Sequence, residues 1–170
     1  SNNRAGTSGG GMLNYTLSSP TLTNVTISKN SAEMSGGGMY NHWYSSPTLT
    51  NVVINGNKAN HYGGGIYNDF YASPTFTNVT ICKNTAEEKG GGIYNERSSS
   101  TFNNSILWEN TAYNGNEFYI DDLSSALLNY CCYNNAAGDI YNEGSFTATN
   151  HNITLNPRFA NLTNSDYRLC

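Results

Sequence analysis

The chain has 170 residues, of which 37% are hydrophobic and only 12% are charged, and its formal net charge is −4. It carries only 8 Lys and Arg side chains, too few for the basic surface that binds phosphate backbones, so no nucleic acid is expected as a partner. No apolar run approaches the length of a transmembrane helix, so the sequence predicts no membrane span in this segment.

Runs of three glycines divide the chain at a constant spacing of 27 residues, and they lie at 9–11, 36–38, 63–65 and 90–92. The residues between them repeat as well. Ser-Pro-Thr-Leu-Thr-Asn at 19–24 returns at 46–51 and, with Phe in place of Leu, at 73–78. A fixed period of this length predicts a solenoid, in which each repeat buries its apolar face against its neighbours.

One repeat, taken from Gly63 to Lys89, contains three short β-rich runs after its glycines. In chain order they are Ile66–Tyr67, Pro74–Thr77 and Val79–Cys82, each bounded by residues that favour turns. No segment has an apolar period typical of a helix. We therefore predict an all-β fold, a right-handed parallel β-helix of about six coils with three short strands per coil.

Alternation along these strands predicts three rows of inward side chains that fill the interior. The rows are Met12, Met39, Ile66 and Ile93; Leu22, Leu49, Phe76 and Phe102; and Ile27, Ile54, Ile81 and Leu107. Asparagine tolerates left-handed backbone angles, so three Asn rows are expected at the corners, with hydrogen bonds from coil to coil. These are Asn14, Asn41, Asn68 and Asn95; Asn24, Asn51, Asn78 and Asn104; and Asn3, Asn30, Asn57, Asn84 and Asn110.

The regular period decays beyond Asn110. We expect regular coils over residues 1–114, beginning in mid-coil, and shortened, irregular coils with a closing segment over 115–170. Asn3 precedes Asn30 by one period, so further β-helix coils of a parent chain, and a secretion signal, are expected upstream. The cysteines are interpreted as small, partly buried thiols, although their even number permits disulfides. They are Cys82, Cys131, Cys132 and Cys170.

The repeat Gly-Gly-Gly-Ile-Tyr-Asn, followed by Ser-Pro-Thr-Leu-Thr-Asn-Val-Thr-Ile, resembles the repeats of secreted bacterial right-handed β-helix proteins. Polymorphic outer-membrane and adhesin-like proteins carry related repeats. The segments 104–110, 156–159 and 166–169 resemble the end of large surface proteins of the choice-of-anchor type. The resemblance implies an extracellular or cell-surface location, and it implies no reaction.

Aromatic residues provide the strongest binding signal. Tyr40, Tyr67 and Tyr94 alternate with the inward row and are expected to face outward as a ladder, and Trp43 and Phe70 align in the adjoining turn. Aromatic faces stack on sugar rings, so these five residues are the candidate ligand-binding set. The competing interpretation is aromatic stacking that only stabilises the sheet.

Asp69 and Glu96 align one coil apart and are the weak candidates for a catalytic pair, because glycoside hydrolysis uses two carboxylates. The competing interpretation is a solvated turn beside Arg97. A calcium-binding array would need an Asp in each repeat, but Tyr15 and His42 stand at the positions equivalent to Asp69. We therefore expect no metal site and no cofactor.

The leading hypothesis is a non-enzymatic, extracellular β-helical segment of a bacterial surface protein, acting as a stalk or as an adhesive, glycan-contacting surface. Its partner would be a polysaccharide or a host or cell-surface glycan. An alternative is a fragment of a carbohydrate-active β-helix, similar to a polysaccharide lyase or hydrolase. A second alternative is ice binding through the Thr-x-Thr motifs at 21–23, 48–50 and 75–77.

Overall fold

The computed structural model describes residues 1–161 and 166–169, so Cys170 lies outside the described residues. The strands, in chain order, are β1 (Arg4–Ala5), β2 (Met12–Tyr15), β3 (Thr21–Thr23), β4 (Thr26–Ser28), β5 (Ser31–Ala32), β6 (Met39–His42), β7 (Thr48–Thr50), β8 (Val53–Asn55), β9 (Lys58–Ala59), β10 (Ile66–Asp69), β11 (Thr75–Thr77), β12 (Thr80–Cys82), β13 (Thr85–Ala86), β14 (Ile93–Glu96), β15 (Ser99–Asn103), β16 (Ile106–Trp108), β17 (Phe118–Ile120), β18 (Ser125–Asn129), β19 (Cys132–Tyr133), β20 (Ile140–Asn142), β21 (Ser145–Thr149), β22 (Phe159–Asn161) and β23 (Asp166–Leu169).

Parallel strands from successive coils stack into four sheets. Sheet I is β2-β6-β10-β14-β17-β20, sheet II is β3-β7-β11-β15-β18-β21, sheet III is β4-β8-β12-β16-β19 and sheet IV is β1-β5-β9-β13. The predicted right-handed parallel β-helix is confirmed, with about 5 turns and a repeat of ~27 residues. β22 and β23 form a separate antiparallel pair. Among the described residues there is no helix with the length and hydrophobicity needed to cross a membrane.

Each regular coil has a fourth strand that the sequence did not predict. The strands of sheet IV are only two residues long, as in Lys58–Ala59 and Thr85–Ala86. Lys and Ala have low β propensity, so the sequence gives little sign of them. They form because the neighbouring coils align their backbones: the Lys58 amide donates to the Asn30 carbonyl, and the Thr85 amide donates to the Asn57 carbonyl, both at 2.9 Å.

The three predicted inward rows form the core. Ile66 pairs in register with Met39 and Ile93, and Phe76 pairs with Leu49 and Phe102. All six side chains are fully buried. Each buried side chain of this size contributes about 1.5–3 kcal/mol to folding.

The glycine runs lie where successive coils approach most closely. Gly63 has a φ of 60°, in the left-handed region that glycine adopts without strain. At Gly64 a Cβ atom would lie 2.4 Å from the carbonyl carbon and oxygen of Thr85, so no larger residue fits without a backbone shift. The runs therefore set both the turn and the spacing of the coils.

Two of the predicted asparagine rows are buried ladders. The first row lies within the strands of sheet I: the side-chain amide of Asn41 donates to Asn68, and that of Asn68 donates to Asn95, both at 2.8 Å. In the row after sheet III, the backbone and side-chain amides of Asn57 both donate to Oδ1 of Asn84, at 2.9 Å. Because each amide serves the next coil, these rows are structural.

The third predicted row lies on the surface. Asn24, Asn51 and Asn78 have φ angles of 56°, 55° and 54°, which confirms the left-handed corner that asparagine tolerates. The Asn51 and Asn78 amides each donate to the preceding coil at 3.2 Å. This row is therefore exposed, and its hydrogen bonds run opposite to those of the buried ladders.

Glu117 ends the ladder that follows sheet III. The backbone and side-chain amides of Asn110 donate to its two carboxylate oxygens. In the preceding coils both amides donate to the Oδ1 atom of a single asparagine. Glu117 follows Gly92 in the stack, since the backbone amide of Ile93 donates to its carbonyl. Its side chain is fully buried. Burial raises its pKa to about 8, against the opposing effect of the two Asn110 hydrogen bonds.

The cysteines that the structure describes are buried. Cys131 and Cys132 are free thiols; the first donates to the Asn129 carbonyl at 3.2 Å and the second to the Leu155 carbonyl at 3.3 Å. Burial raises the pKa of both thiols, which disfavours the reactive thiolate. These two residues pack as small apolar side chains with weak S–H donors.

Candidate functional site

The corner between sheets I and II carries bulky residues in an unfavourable backbone conformation. The φ angles of Trp43 and Tyr44 are 45° and 59°, and those of Phe70 and Tyr71, one coil later, are 46° and 67°. A non-glycine residue in this region costs about 1–2 kcal/mol. Hydrogen bonds between coils hold the conformation, including that from the Tyr44 amide to the Phe70 carbonyl at 3.0 Å. Thr16 and Leu17, one coil earlier, have φ angles of 48° and 61°, so the conformation belongs to this corner of the coil and does not require aromatic residues.

The four side chains at this corner form an exposed aromatic groove. Trp43, Tyr44, Phe70 and Tyr71 are 53%, 49%, 39% and 57% exposed. With His42 they line a cavity of about 390 Å³. Tyr44 and Tyr71 stack with their ring centroids 5.2 Å apart. The groove therefore presents large ring surfaces to solvent on a rigid scaffold. We refer to these four residues as the aromatic groove.

A buried polar cluster lies against the groove. Asp69 Oδ2 accepts a hydrogen bond from the Tyr40 hydroxyl at 2.7 Å and lies 3.0 Å from His42 Nδ1. Asp69 is 4% exposed, and its Oδ1 atom has no hydrogen-bond partner. Burial, and then the contact with Asp69, raises the pKa of Tyr40.

His42, Tyr44 and Tyr71 were not among the site residues predicted from the sequence. The signal for His42 was its position one coil before Asp69, which places the two side chains side by side in the parallel stack. The signal for Tyr44 and Tyr71 was their alignment with each other in the turn.

The tyrosine ladder faces outward, as expected, but most of its ring surface is covered. Tyr67 and Tyr94 are only 7% and 5% exposed, while Tyr40 is half-buried. The rings do point away from the interior, but they stack on one another, with centroids 5.0 Å apart for Tyr40–Tyr67 and 5.2 Å apart for Tyr67–Tyr94. Tyr62 packs against them. Their ring faces are therefore covered, and Trp43 and Phe70 are the exposed members of the predicted binding set.

The tyrosine stack also contacts a lysine side chain, and its own phenol groups have raised pKa values. The Lys89 ammonium lies 4.5 Å from the ring centroid of Tyr119, and Tyr119 packs edge to face against Tyr94. Burial raises the pKa of Tyr67 and Tyr94, and it raises that of Tyr119 to about 12. The stack thus forms a second apolar cluster outside the main core.

Asp69 and Glu96 are register partners on adjacent coils, as the sequence predicted. Each carboxylate is bonded by a tyrosine of the preceding coil, Asp69 by Tyr40 and Glu96 by Tyr67. The Arg97 guanidinium lies over the Phe70 ring, 5.6 Å from its centroid. Among the described residues Arg97 forms no ion pair, and there is no cluster of three or more potential metal ligands.

The threonine files are in register along sheet II. Thr48 pairs with Thr21 and Thr75, and Thr50 pairs with Thr23 and Thr77. At the next coil the second file changes, because Thr77 pairs with Asn103. The regular part of this surface is three coils long.

Comparison with known proteins identifies the repeat. The model of the Chlamydia polymorphic membrane protein repeat matches residues 51–69 and 78–96. These segments contain β8–β10 and β12–β14 and cover less than a quarter of the chain. The chain therefore contains β-helix repeats like those of polymorphic membrane proteins. No curated protein and no solved structure matches the chain significantly. The resemblance to choice-of-anchor proteins has no further support.

Proposed function

We propose that this β-helix is a surface-exposed segment of a bacterial outer-membrane or extracellular protein, and that it contacts glycans through the aromatic groove. The polymorphic-membrane-protein type of repeat supports the location. The rigid stack of parallel coils supports a role as a stalk that presents a binding surface. The segment itself needs no catalytic group or cofactor for this role.

The observation that carries the proposal is the exposure of four aromatic rings on strained backbone. An exposed ring contributes little to folding, and the left-handed conformation at Trp43 and Phe70 opposes folding. Their placement is therefore unexplained by stability alone. Aromatic faces stack on the apolar faces of sugar rings, while hydroxyls such as those of Tyr44 and Tyr71 hydrogen-bond the sugar.

A carbohydrate-active enzyme receives less support from the same geometry. The Asp69 and Glu96 carboxylates are engaged by tyrosine hydroxyls, and Asp69 is buried. Asp69 is not presented to solvent as a general acid or nucleophile would need to be, and Glu96 is only partly exposed. Ice binding would rest on the threonine files of sheet II, which are regular over three coils only.

Calorimetry against a panel of neutral and weakly acidic polysaccharides tests glycan binding. We expect weak binding, because single stacking contacts are modest. The double variant Trp43→Ala/Phe70→Ala should lose the heat signal with an unchanged circular dichroism spectrum. Tyr113→Ala is the matched control, since Tyr113 is an aromatic residue that is 85% exposed but lies outside the groove. If the intact protein gives no heat, or if the double variant binds equally well, glycan binding through the groove is refuted. Only the stalk function would then remain.

A further inference from the structure

The rings at one end of the aromatic groove form an open box. Trp43 and Phe70 each stand nearly perpendicular to His42, at 87° and 84°, with centroids 6.3 Å and 5.6 Å from the His42 centroid. Tyr44 and Tyr71 stack directly, but among the described rings no stacking contact joins Trp43 to Phe70. Trp43 and Phe70 are therefore two walls that stand on a His42 floor, and all three rings line the 390 Å³ cavity.

The surroundings of the box favour a cation. Aromatic rings carry negative potential on their faces, and Trp is the strongest of them. Tyr15 stacks on His42, with centroids 4.9 Å apart, and His42 Nδ1 contacts the Asp69 carboxylate, whose second oxygen is buried and has no partner. The box thus combines negative ring faces with a nearby carboxylate. Its walls offer few hydrogen-bonding groups, so a primary ammonium would lose its hydration without replacement.

A cationic side chain, Arg97, lies next to the box and can pair with an anion. The exposed Arg97 guanidinium is held over Phe70 and forms no ion pair among the described residues. Its carboxylate neighbour Glu96 accepts the hydrogen bond of Tyr67 instead. Arginine is well suited to binding phosphate through its planar set of donors. A ligand with a cation at one end and a phosphate at the other would therefore match both features.

We propose that the aromatic groove binds phosphocholine. The trimethylammonium group lies between Trp43 and Phe70 above His42, and the phosphate pairs with Arg97. A trimethylammonium group is bulky, weakly hydrated and free of N–H donors, which suits an aromatic box. This ligand class goes beyond the glycan proposal and does not depend on it, because the site requires no sugar ring.

Calorimetry with soluble phosphocholine tests the site. The matched probe is 3,3-dimethylbutyl phosphate, which has the same shape and phosphate but a neutral carbon in place of nitrogen. We expect phosphocholine to bind about tenfold more tightly than this isostere. Trp43→Leu, which keeps an apolar side chain but removes the π face, should remove most of that difference. Equal affinities for the two probes, or no binding of phosphocholine, would overturn the proposal.

Arg97 is tested separately with choline, which lacks the phosphate. Arg97→Gln should reduce phosphocholine affinity about tenfold and leave choline affinity unchanged. An unchanged phosphocholine affinity would overturn the role of Arg97. Thermal melts establish that each variant is folded, and Tyr113→Ala should bind like the wild type. Polysaccharides without phosphocholine test the glycan proposal independently, so either proposal can fail alone.

Vesicles distinguish the two sources of this head group. If the protein sediments with phosphatidylcholine vesicles and not with phosphatidylglycerol vesicles, the source is a lipid surface. Binding of soluble phosphocholine without sedimentation supports the site and assigns the source to a soluble or glycan-linked form. Equal sedimentation with both lipids, unaffected by Trp43→Leu, would overturn recognition through the box.

Discussion

Glu117 is expected to make the stability of this protein depend on pH. Its ordinary pKa is near 4.5, and burial raises the pKa in the folded state to about 8. Between these values the folded protein keeps a proton that the unfolded chain has lost. The contribution to stability is therefore fully present below about pH 4.5 and is lost as the pH rises through about 8.

The magnitude follows from the two pKa values. Each pKa unit corresponds to about 1.4 kcal/mol, so the separation between 4.5 and about 8 corresponds to a loss on the order of 5 kcal/mol. The steepest slope is about 1.4 kcal/mol per pH unit. Glu117→Gln removes the titration. It also brings an amide NH₂ against the Asn110 donors, so the variant should be less stable than the wild type at acidic pH.

Urea unfolding of both proteins between about pH 5 and about pH 9 measures this effect. The difference between their curves isolates Glu117 from the groups that the two proteins share. Asp122→Asn is the control for a general loss of negative charge, because Asp122 is exposed and does not contribute to the raised pKa of Glu117. Its curve should run parallel to that of the wild type. If the curve of Glu117→Gln is also parallel to the wild type, the folded protein does not hold a proton on Glu117 and the reasoning is refuted.

Two further predictions concern the core and the ladders. Phe76→Ala should cost about 3–5 kcal/mol in urea melts, while Thr77→Ala, outward on the same strand, should cost about 0.5 kcal/mol; equal losses would contradict the assignment of the two faces. Asn84→Ala leaves both amides of Asn57 without their acceptor and should cost about 2–4 kcal/mol. Asn78→Gly, in the exposed row, should change stability by no more than about 0.5 kcal/mol, and a comparable loss there would remove the distinction between the ladders.

The fold could be predicted because the repeat places one constraint at the same position of every coil. Ile66 points inward for the same reason as Met39 and Ile93, so the three residues together indicate that this position is buried. The asparagine corners and the glycine turns were predicted in the same way. The two-residue strands of sheet IV were missed because pairing between coils, and not local propensity, produces them.

The candidate site was predicted less well. Alternation correctly placed Tyr67 and Tyr94 on the outer face, but it carries no information on what lies above that face. Coils spaced about 4.8 Å apart bring such rings into contact, and Tyr62 covers them further. Glu117 was missed for a different reason. The irregular coil after Asn110 has no asparagine to accept the hydrogen bonds of the ladder, and Glu117 accepts them instead. A repeat pattern does not indicate which residue replaces the asparagine.

The direction of the hydrogen bonds has a mechanical consequence. Those between coils, such as Asn68 to Asn95, connect one turn to the next, so they lie along the axis of the rod. A pull on the two ends of the chain therefore peels turns from an end and loads only one interface at a time. Each turn of ~27 residues would release about 90 Å of extended chain. Under tension the regular coils would lengthen the rod in steps of equal size, and each step would absorb work.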